Sequence, residues 1–107
     1  MIRDFHAHIY FDPEEVETAR ALGDEAQKRF GVPVGHYHLR PVGPHPRGSV
    51  QLTVPPDRFG EFAQWLALNR GELTIFVHAN TGEDLADHTR HVIWFGKSEP
   101  LDLSIFG

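Results

Sequence analysis

Cysteine is absent from this chain of 107 residues, which excludes a disulfide framework, a thiolate nucleophile and thiolate-ligated zinc or iron–sulfur sites. No apolar run approaches the roughly 20 residues of a membrane helix. The first residues lead directly into a predicted strand, so we expect no secretory signal. The 10 lysines and arginines are scattered among 15 acidic residues, for a net charge of −5. Phosphate neutralisation requires clustered basic residues instead. We therefore expect one cytoplasmic domain, residues 1–107, that binds neither nucleic acid nor a membrane.

Histidine, in contrast, is abundant, with eight residues. Without cysteine, metal or proton-transfer chemistry must be built from these imidazoles and from carboxylates. Imidazole suits iron, zinc, copper and nickel, whereas magnesium and calcium prefer oxygen ligands. A metal bound by this chain is therefore expected to be a first-row transition metal.

The segment Phe5–Phe11 alternates apolar and polar residues in the way that a half-buried strand does. His6, His8 and Tyr10 share one face of this strand. Residues two apart on a strand face are roughly 6–7 Å apart, so the two imidazoles can lean inward and share one metal ion at about 2.1 Å from each nitrogen.

Periodicity and turn residues predict the rest of the fold. The predicted order is a strand at 5–11, a helix from Asp12 to Gly31, strands at 35–40 and 49–54, a helix from Pro55 to Gly71 and a strand at 73–78. Asp12, Pro13 and Glu15 are the expected N-cap, first helical residue and capping-box residue. This order specifies an α+β fold, a ferredoxin-like βαββαβ sandwich with a C-terminal extension. Its strand order would be 4-1-3-2, with both helices on one face.

The sheet face opposite the helices is expected to collect most of the histidines. Its predicted residues are His6, His8, Tyr10, His36, His38, Arg40, Gln51, Thr53, Phe76 and His78. Antiparallel pairing of the first and last strands of the sandwich places His78 near His6, and His88 follows within one loop. These residues predict a metal site with three or four imidazole ligands.

A carboxylate could also join two of the histidines, giving the facial triad that leaves positions open for a substrate and O2 on Fe(II). Glu83, Asp84 and Asp87 are the candidates. Asp84 is better explained as a helix-start acid, and Asp87 could instead orient a ligand histidine through its second ring nitrogen.

A further histidine, His45, lies between two prolines in the turn-rich segment 41–48. It is a candidate general acid or base at the mouth of the site, or an ordinary loop residue. His36, at the start of a predicted strand, and His91, beside Trp94, have weaker claims.

Taken together, the motifs Phe5-His-Ala-His-Ile-Tyr-Phe, Gly43-Pro-His-Pro-Arg47, His78-Ala-Asn-Thr-Gly82, Asp87-His88 and Trp94-Phe-Gly96 resemble the DOPA 4,5-dioxygenase family over nearly the whole chain. Ala79 stands where that family often has proline. The resemblance implies a non-haem Fe(II) enzyme that uses O2 for extradiol cleavage of a small aromatic substrate, a catechol such as DOPA. Zinc or another first-row metal could occupy the site in a purified sample.

On that interpretation the candidate residues take three roles. Candidate metal ligands are His6, His8, His78 and His88. His38 and His45 are the candidates for proton transfer. Tyr10, Arg40 and Arg47 are the candidates for binding the substrate, the arginines through a carboxylate.

Two other classes of protein fit the same residues. One is a ferredoxin-like dimeric binding module whose histidines bind metal without dioxygenase activity. The other is a different small enzyme, such as a cofactor-free monooxygenase or a ring isomerase. A cupin also uses a His-x-His pair, but the two helical stripes argue against it. Because one sheet face lacks helices and Trp65, Phe76, Trp94 and the tail offer apolar surface, we expect a homodimer.

Overall fold

The computed structural model describes residues 1–107 and contains one antiparallel sheet of four strands. The strands are β1 (Asp4–Phe11), β2 (Gly48–Val54), β3 (Thr74–Asn80) and β4 (Val92–Phe95), in the order β2-β1-β3-β4. The helices are α1 (Val16–Phe30), α2 (Pro56–Asn69) and the single turn α3 (Asp84–Asp87), with 3₁₀ turns at Pro13–Glu15 and Leu103–Phe106. None of these helices has both the length and the apolar character of a membrane span.

The starts and ends of the two long helices follow the local sequence. The backbone N–H of Asp12 donates to Oε1 of Glu15 at 2.9 Å, which is half of the predicted capping box. A 3₁₀ turn then leads into α1, which ends at Gly31 with a φ of 66°. That left-handed conformation favours glycine. Gly71, after α2, has the same kind of conformation.

The hydrophobic core lies between the sheet and the two long helices. Alternate residues of β1 enter it, namely Ala7, Ile9 and Phe11. The other buried members are Ala19, Leu22, Ala26, Val32, Val50, Leu52, Val54, Phe62, Leu66, Leu73, Ile75 and Val77. Because strand side chains alternate between faces, the residues between these core positions point to the opposite face, as predicted.

The prediction of a regular strand at 35–40 is wrong. The segment runs beside β2 and makes only two isolated bridges, Val34 with Leu52 and His38 with Ser49. Three residues lie between the bridges on this segment but only two lie between them on β2, so one extra residue interrupts the ladder, as in a bulge. The segment nevertheless lies at the predicted edge, and the α+β sandwich is confirmed.

Two additions distinguish this fold from the minimal sandwich. β4 pairs with β3 and extends the sheet by one strand. The remaining tail returns to the histidine-bearing face, where the backbone N–H of Asp102 donates to the carbonyl of Pro44 at 2.8 Å. The C-terminal extension therefore adds a strand and also contacts the segment that carries His45.

Candidate metal centre

The two central strands bring three histidines together. In the register of β1 with β3, His6 lies directly opposite His78, and His8 lies opposite Phe76. The predicted proximity of His78 to His6 is thus confirmed. Each of the three imidazoles offers a nitrogen, and these nitrogens all lie within 4.8 Å of one another.

The spacing of His8 and His78 is that of two ligands on one ion. Their Nε2 atoms are 3.2 Å apart, and two ligand atoms at about 2.1 Å from a metal are about 3.0–3.4 Å apart for angles of roughly 90–109°. Nδ1 of His78 lies 3.0 Å from the carbonyl of Ala79. Because a carbonyl only accepts, Nδ1 carries the proton and Nε2 keeps its lone pair. The arrangement fits a shared cation, or a proton between the two rings in its absence.

Burial keeps these imidazoles neutral. His8 and His78 are 5% and 4% exposed. Burial and the neighbouring His45 and His78 hold the pKa of His8 well below its usual range. Burial likewise lowers the pKa of His78 to about 4, although its bond to the Ala79 carbonyl opposes the shift. Metal binding requires neutral imidazole, so the pair is ready to bind metal at neutral pH.

His6, at the more open side of the group, has a carboxylate beside it. Nε2 of His6 is 3.3 Å from Oδ1 of Asp4, a buried oxygen with no well-oriented hydrogen bond. Burial lowers the pKa of His6, and the charge of Asp4 opposes that effect. Asp4 was not among the predicted site residues. It could have been found, because it precedes His6 by two residues and so shares its strand face.

The fourth candidate ligand, His88, lies just after α3 and next to the group. Its ring centroid is 4.0 Å from that of His78. Its Nδ1 donates to the carbonyl of Asp84 at 2.7 Å, which leaves Nε2 as the nitrogen available to an ion. Phe106 of the tail packs on His88, with 4.4 Å between ring centroids.

No carboxylate joins the three histidines in the group of possible ligands, so a facial triad with Glu83, Asp84 or Asp87 receives no support from this geometry. Asp87 is 1% exposed and accepts hydrogen bonds from the backbone N–H and hydroxyl of Thr81, each at 2.7 Å. It also bonds Nδ1 of His91 at 2.8 Å. Asp87 thus orients His91, not a histidine of the metal group, and fixes the loop before His88.

His45 reaches the same cluster from the segment 41–48. Its ring centroid is 4.1 Å from that of His8, and its Nδ1 is 2.8 Å from the hydroxyl of Tyr10. Burial, with a smaller effect of His88, lowers the pKa of His45 to about 4. Tyr10 is fully buried, and burial raises the pKa of its hydroxyl.

A cavity of about 290 Å³ adjoins His8 and His45. Its remaining lining residues are Gly35, His36, His38, Val42, Ser49 and Gln51. His38 therefore faces the same space as His8, and His36, although exposed, shares it. The volume lies just below the lower end, about 300 Å³, of typical small-ligand sites.

The two candidate arginines lie in different surroundings. Arg47 donates to both carboxylate oxygens of Glu99, at 3.0 and 2.7 Å, and also contacts Asp12 and Glu15. Its charge is therefore already matched by acidic groups. Arg40 is exposed and forms no ion pair. Neither arginine lines the cavity.

Similarity to known proteins identifies the family of this chain. The model of the Dopa 4,5-dioxygenase family matches residues 5–105. A protein of Amanita muscaria named DOPA 4,5-dioxygenase is 37% identical over 96% of this chain and 49% of its own length. A 21.2 kDa protein of Botryotinia fuckeliana, described as uncharacterized, is 34% identical over 94% of this chain and 62% of its own length. The chain thus spans about half to three fifths of these curated relatives.

Among solved structures, a crystal structure from Nostoc punctiforme described as a "putative dioxygenase" superimposes with a TM-score of 0.92 at 37% identity. That match covers 95% of this chain and 89% of the other. The strand and loop motifs around the histidine cluster lie within the matched range, and the chain belongs to the Dopa 4,5-dioxygenase family.

Proposed function

We propose that this chain is a metal-dependent dioxygenase that opens the ring of a catechol by extradiol cleavage, with DOPA as the first substrate to test. The observation that carries the proposal is the group of three histidines on β1 and β3, beside a cavity of about 290 Å³ that His8 also lines. Its support from relatives is the similarity to the Amanita protein named DOPA 4,5-dioxygenase, which is longer than this chain.

His6, His8 and His78 are the proposed ligands, with His88 completing the set. An all-imidazole set suits iron, zinc, copper and nickel and does not suit magnesium or calcium. Fe(II) is the proposed native metal because, when bound, it supplies the redox chemistry with O2 and open positions for the catechol oxygens. Zinc would satisfy the same ligands but has no redox chemistry.

The chain's own part in the reaction is to bind the catechol, to exchange protons with it and to exclude water. A catechol must lose protons as it reacts, and His38 and His45 are the proposed groups that accept or donate beside it. Both line the cavity that His8 also lines. Of the two arginines, Arg40 is the better candidate for a substrate carboxylate, because Arg47 would first have to leave Glu99.

The deciding experiment mixes the anaerobic Fe(II) protein with DOPA, catechol, caffeate or protocatechuate and then adds O2. We expect a yellow ring-opened product and one O2 consumed per substrate, because both oxygen atoms enter the product. His78→Ala should lose metal and turnover together, whereas His36→Ala, outside the ligand group, should keep its metal. If iron-loaded protein cleaves none of these catechols, the binding-module alternative replaces the dioxygenase.

We also propose a homodimer. β4 is an edge strand that pairs only with β3, and its Ile93 is 44% exposed. Such an edge can pair with a second copy of the chain. Light scattering at working concentration tests this, and a monomeric mass would refute it.

A further inference from the structure

Tyr10 is the buried group that the proposed chemistry does not use. It shares the strand face of His6 and His8 but is fully buried. Its ring packs against Phe76 and Trp94. Its hydroxyl makes one hydrogen bond in the whole structure, to Nδ1 of His45 at 2.8 Å.

That single bond determines which nitrogen of His45 carries the proton. If Nδ1 were the donor, the hydroxyl of Tyr10 would accept, and its own proton would be buried without any acceptor. A buried donor without a partner is costly, whereas a satisfied one is not. The arrangement without that cost has the Tyr10 O–H donating to Nδ1, so that the proton of neutral His45 resides on Nε2.

Nε2 of His45 has no partner in the protein, although the residue is only 8% exposed and lines the cavity beside His8. A ring held at Nδ1 can contact a ligand through Nε2 alone. In the tautomer that Tyr10 selects, Nε2 is a donor and has no lone pair to accept a proton.

We propose that Tyr10 is a positioning residue that holds His45 as a hydrogen-bond donor to an oxygen anion of the ligand in the cavity, and that His45 is not a base. The inference rests on the proposed function for the identity of that ligand, a catecholate. The inference also gives the two candidates for proton transfer different roles, because His38 becomes the group that accepts the catechol proton. His45 keeps its proton and stabilises negative charge.

Two variants test the assignment of the tautomer. Tyr10→Phe removes only the hydroxyl and keeps the ring. Tyr37→Phe is the matched control, since the Tyr37 hydroxyl is also buried and has no hydrogen-bond partner. Its ring lies near Arg20 and Gly23, outside the metal group and the cavity.

The first measurement is ¹⁵N–¹H correlation of the imidazole side chains in the zinc-loaded protein. We expect the His45 proton on Nε2 in wild type and in Tyr37→Phe, and a tautomer mixture or an Nδ1 proton in Tyr10→Phe. An Nδ1 proton in wild type, or an unchanged pattern in Tyr10→Phe, would overturn the assignment. This measurement needs no turnover, so it remains decisive if the dioxygenase proposal fails.

The second measurement is binding of 4-nitrocatechol, whose absorption reports its ionisation, to the zinc-loaded wild type, Tyr10→Phe, His45→Ala and the variant that carries both changes. We expect Tyr10→Phe and His45→Ala each to weaken binding of the ionised form by about tenfold or more. The double variant should bind no worse than His45→Ala alone, because Tyr10 acts through His45. Additive losses, or no binding to wild type, would contradict the donor role.

Discussion

His8 and His78 are fixed by different forces from those that fix His45. The first two occupy central positions of β1 and β3, where the antiparallel register sets which residues are neighbours. A slip of one residue would move every side chain of the strand to the other face and expose the core set. The placement of these two histidines is therefore enforced by burial of the whole hydrophobic core.

His45 lies on a segment without regular structure and depends on individual polar contacts. The hydroxyl of Tyr10 bonds its ring, the tail bonds the carbonyl of Pro44, and Arg47 bonds Glu99. Each of these contacts contributes less free energy than the burial of the hydrophobic core. We therefore expect substitutions that displace His45 to leave the three histidines on β1 and β3, and the metal that they bind, in place.

The largest effect should come from removing a strand-held ligand. His8→Ala should lower metal affinity by well over 100-fold, since loss of an outer hydrogen-bond partner alone costs about 10–100-fold. Turnover should vanish with the metal. Elemental analysis after anaerobic iron loading measures this, with His36→Ala as the matched control. Equal metal content in the two variants would exclude His8 as a ligand.

Removing the loop-held donor should separate activity from metal content. His45→Ala should retain the metal and lower kcat by about 10²–10³-fold, the cost of deleting one donor to a developing oxyanion. Steady-state kinetics and elemental analysis on the same sample measure both. A loss of metal in this variant would mean that His45 is a ligand and that the division between the two regions is wrong.

The strand-held part of the site could be predicted from sequence because period-two alternation and antiparallel pairing are local rules. They placed His6, His8 and Tyr10 on one face and brought His78 opposite His6. The same alternation failed for 35–40, where one extra residue between the bridges prevents a regular ladder. The local sequence does not predict that bulge, because the bulge depends on how the segment pairs with β2.

The loop-held part depends on contacts between residues far apart in the chain. Tyr10 and His45 are 35 positions apart, and Arg47 and Glu99 are 52 apart. Neither pair follows a periodicity, so neither could be predicted from the sequence. Tyr10 and Arg47 were predicted to contact the substrate, but the hydroxyl of Tyr10 bonds His45 and the guanidinium of Arg47 bonds Glu99. Their partners emerge only once the segment 41–48 and the tail are folded onto the sheet.

An intermediate effect is expected at Asp87, which fixes the loop before His88. Asp87→Asn should lower the free energy of unfolding by about 1–3 kcal/mol, as for other hydrogen bonds to a buried charged group. Burial raises the pKa of Asp87, but bonds from Thr81 and His91 outweigh it and lower the pKa to about 2 from 3.8. The stabilisation is thus present above about pH 4 and is lost as the pH falls towards 2.

Urea unfolding of the wild type and Asp87→Asn between pH 2 and 6 measures this effect. The difference between the two proteins should be full near pH 6 and should shrink below pH 4. A difference that stays constant across this range would show that the carboxylate charge of Asp87 contributes nothing.

The smallest effect should come from the tail. Glu99→Gln weakens the bidentate pair between Glu99 and Arg47, in which the Arg47 side chain is 26% exposed and the Glu99 side chain 23%. Because partly exposed pairs are worth about 0.2–1 kcal/mol, unfolding free energy should fall by no more than about 1 kcal/mol. The tail contacts Pro44 beside His45 and packs on His88 through Phe106. Faster amide hydrogen exchange is therefore expected at 99–106, together with weaker catechol binding. Metal content should stay unchanged, because β1 and β3 carry His6, His8 and His78.

Glu61→Gln is the matched control, since Glu61 lies 4.0 Å from Arg58 and is 70% exposed on α2. Metal loss in Glu99→Gln but not in Glu61→Gln would show that the tail, and with it His88, holds the ion as firmly as the strands do.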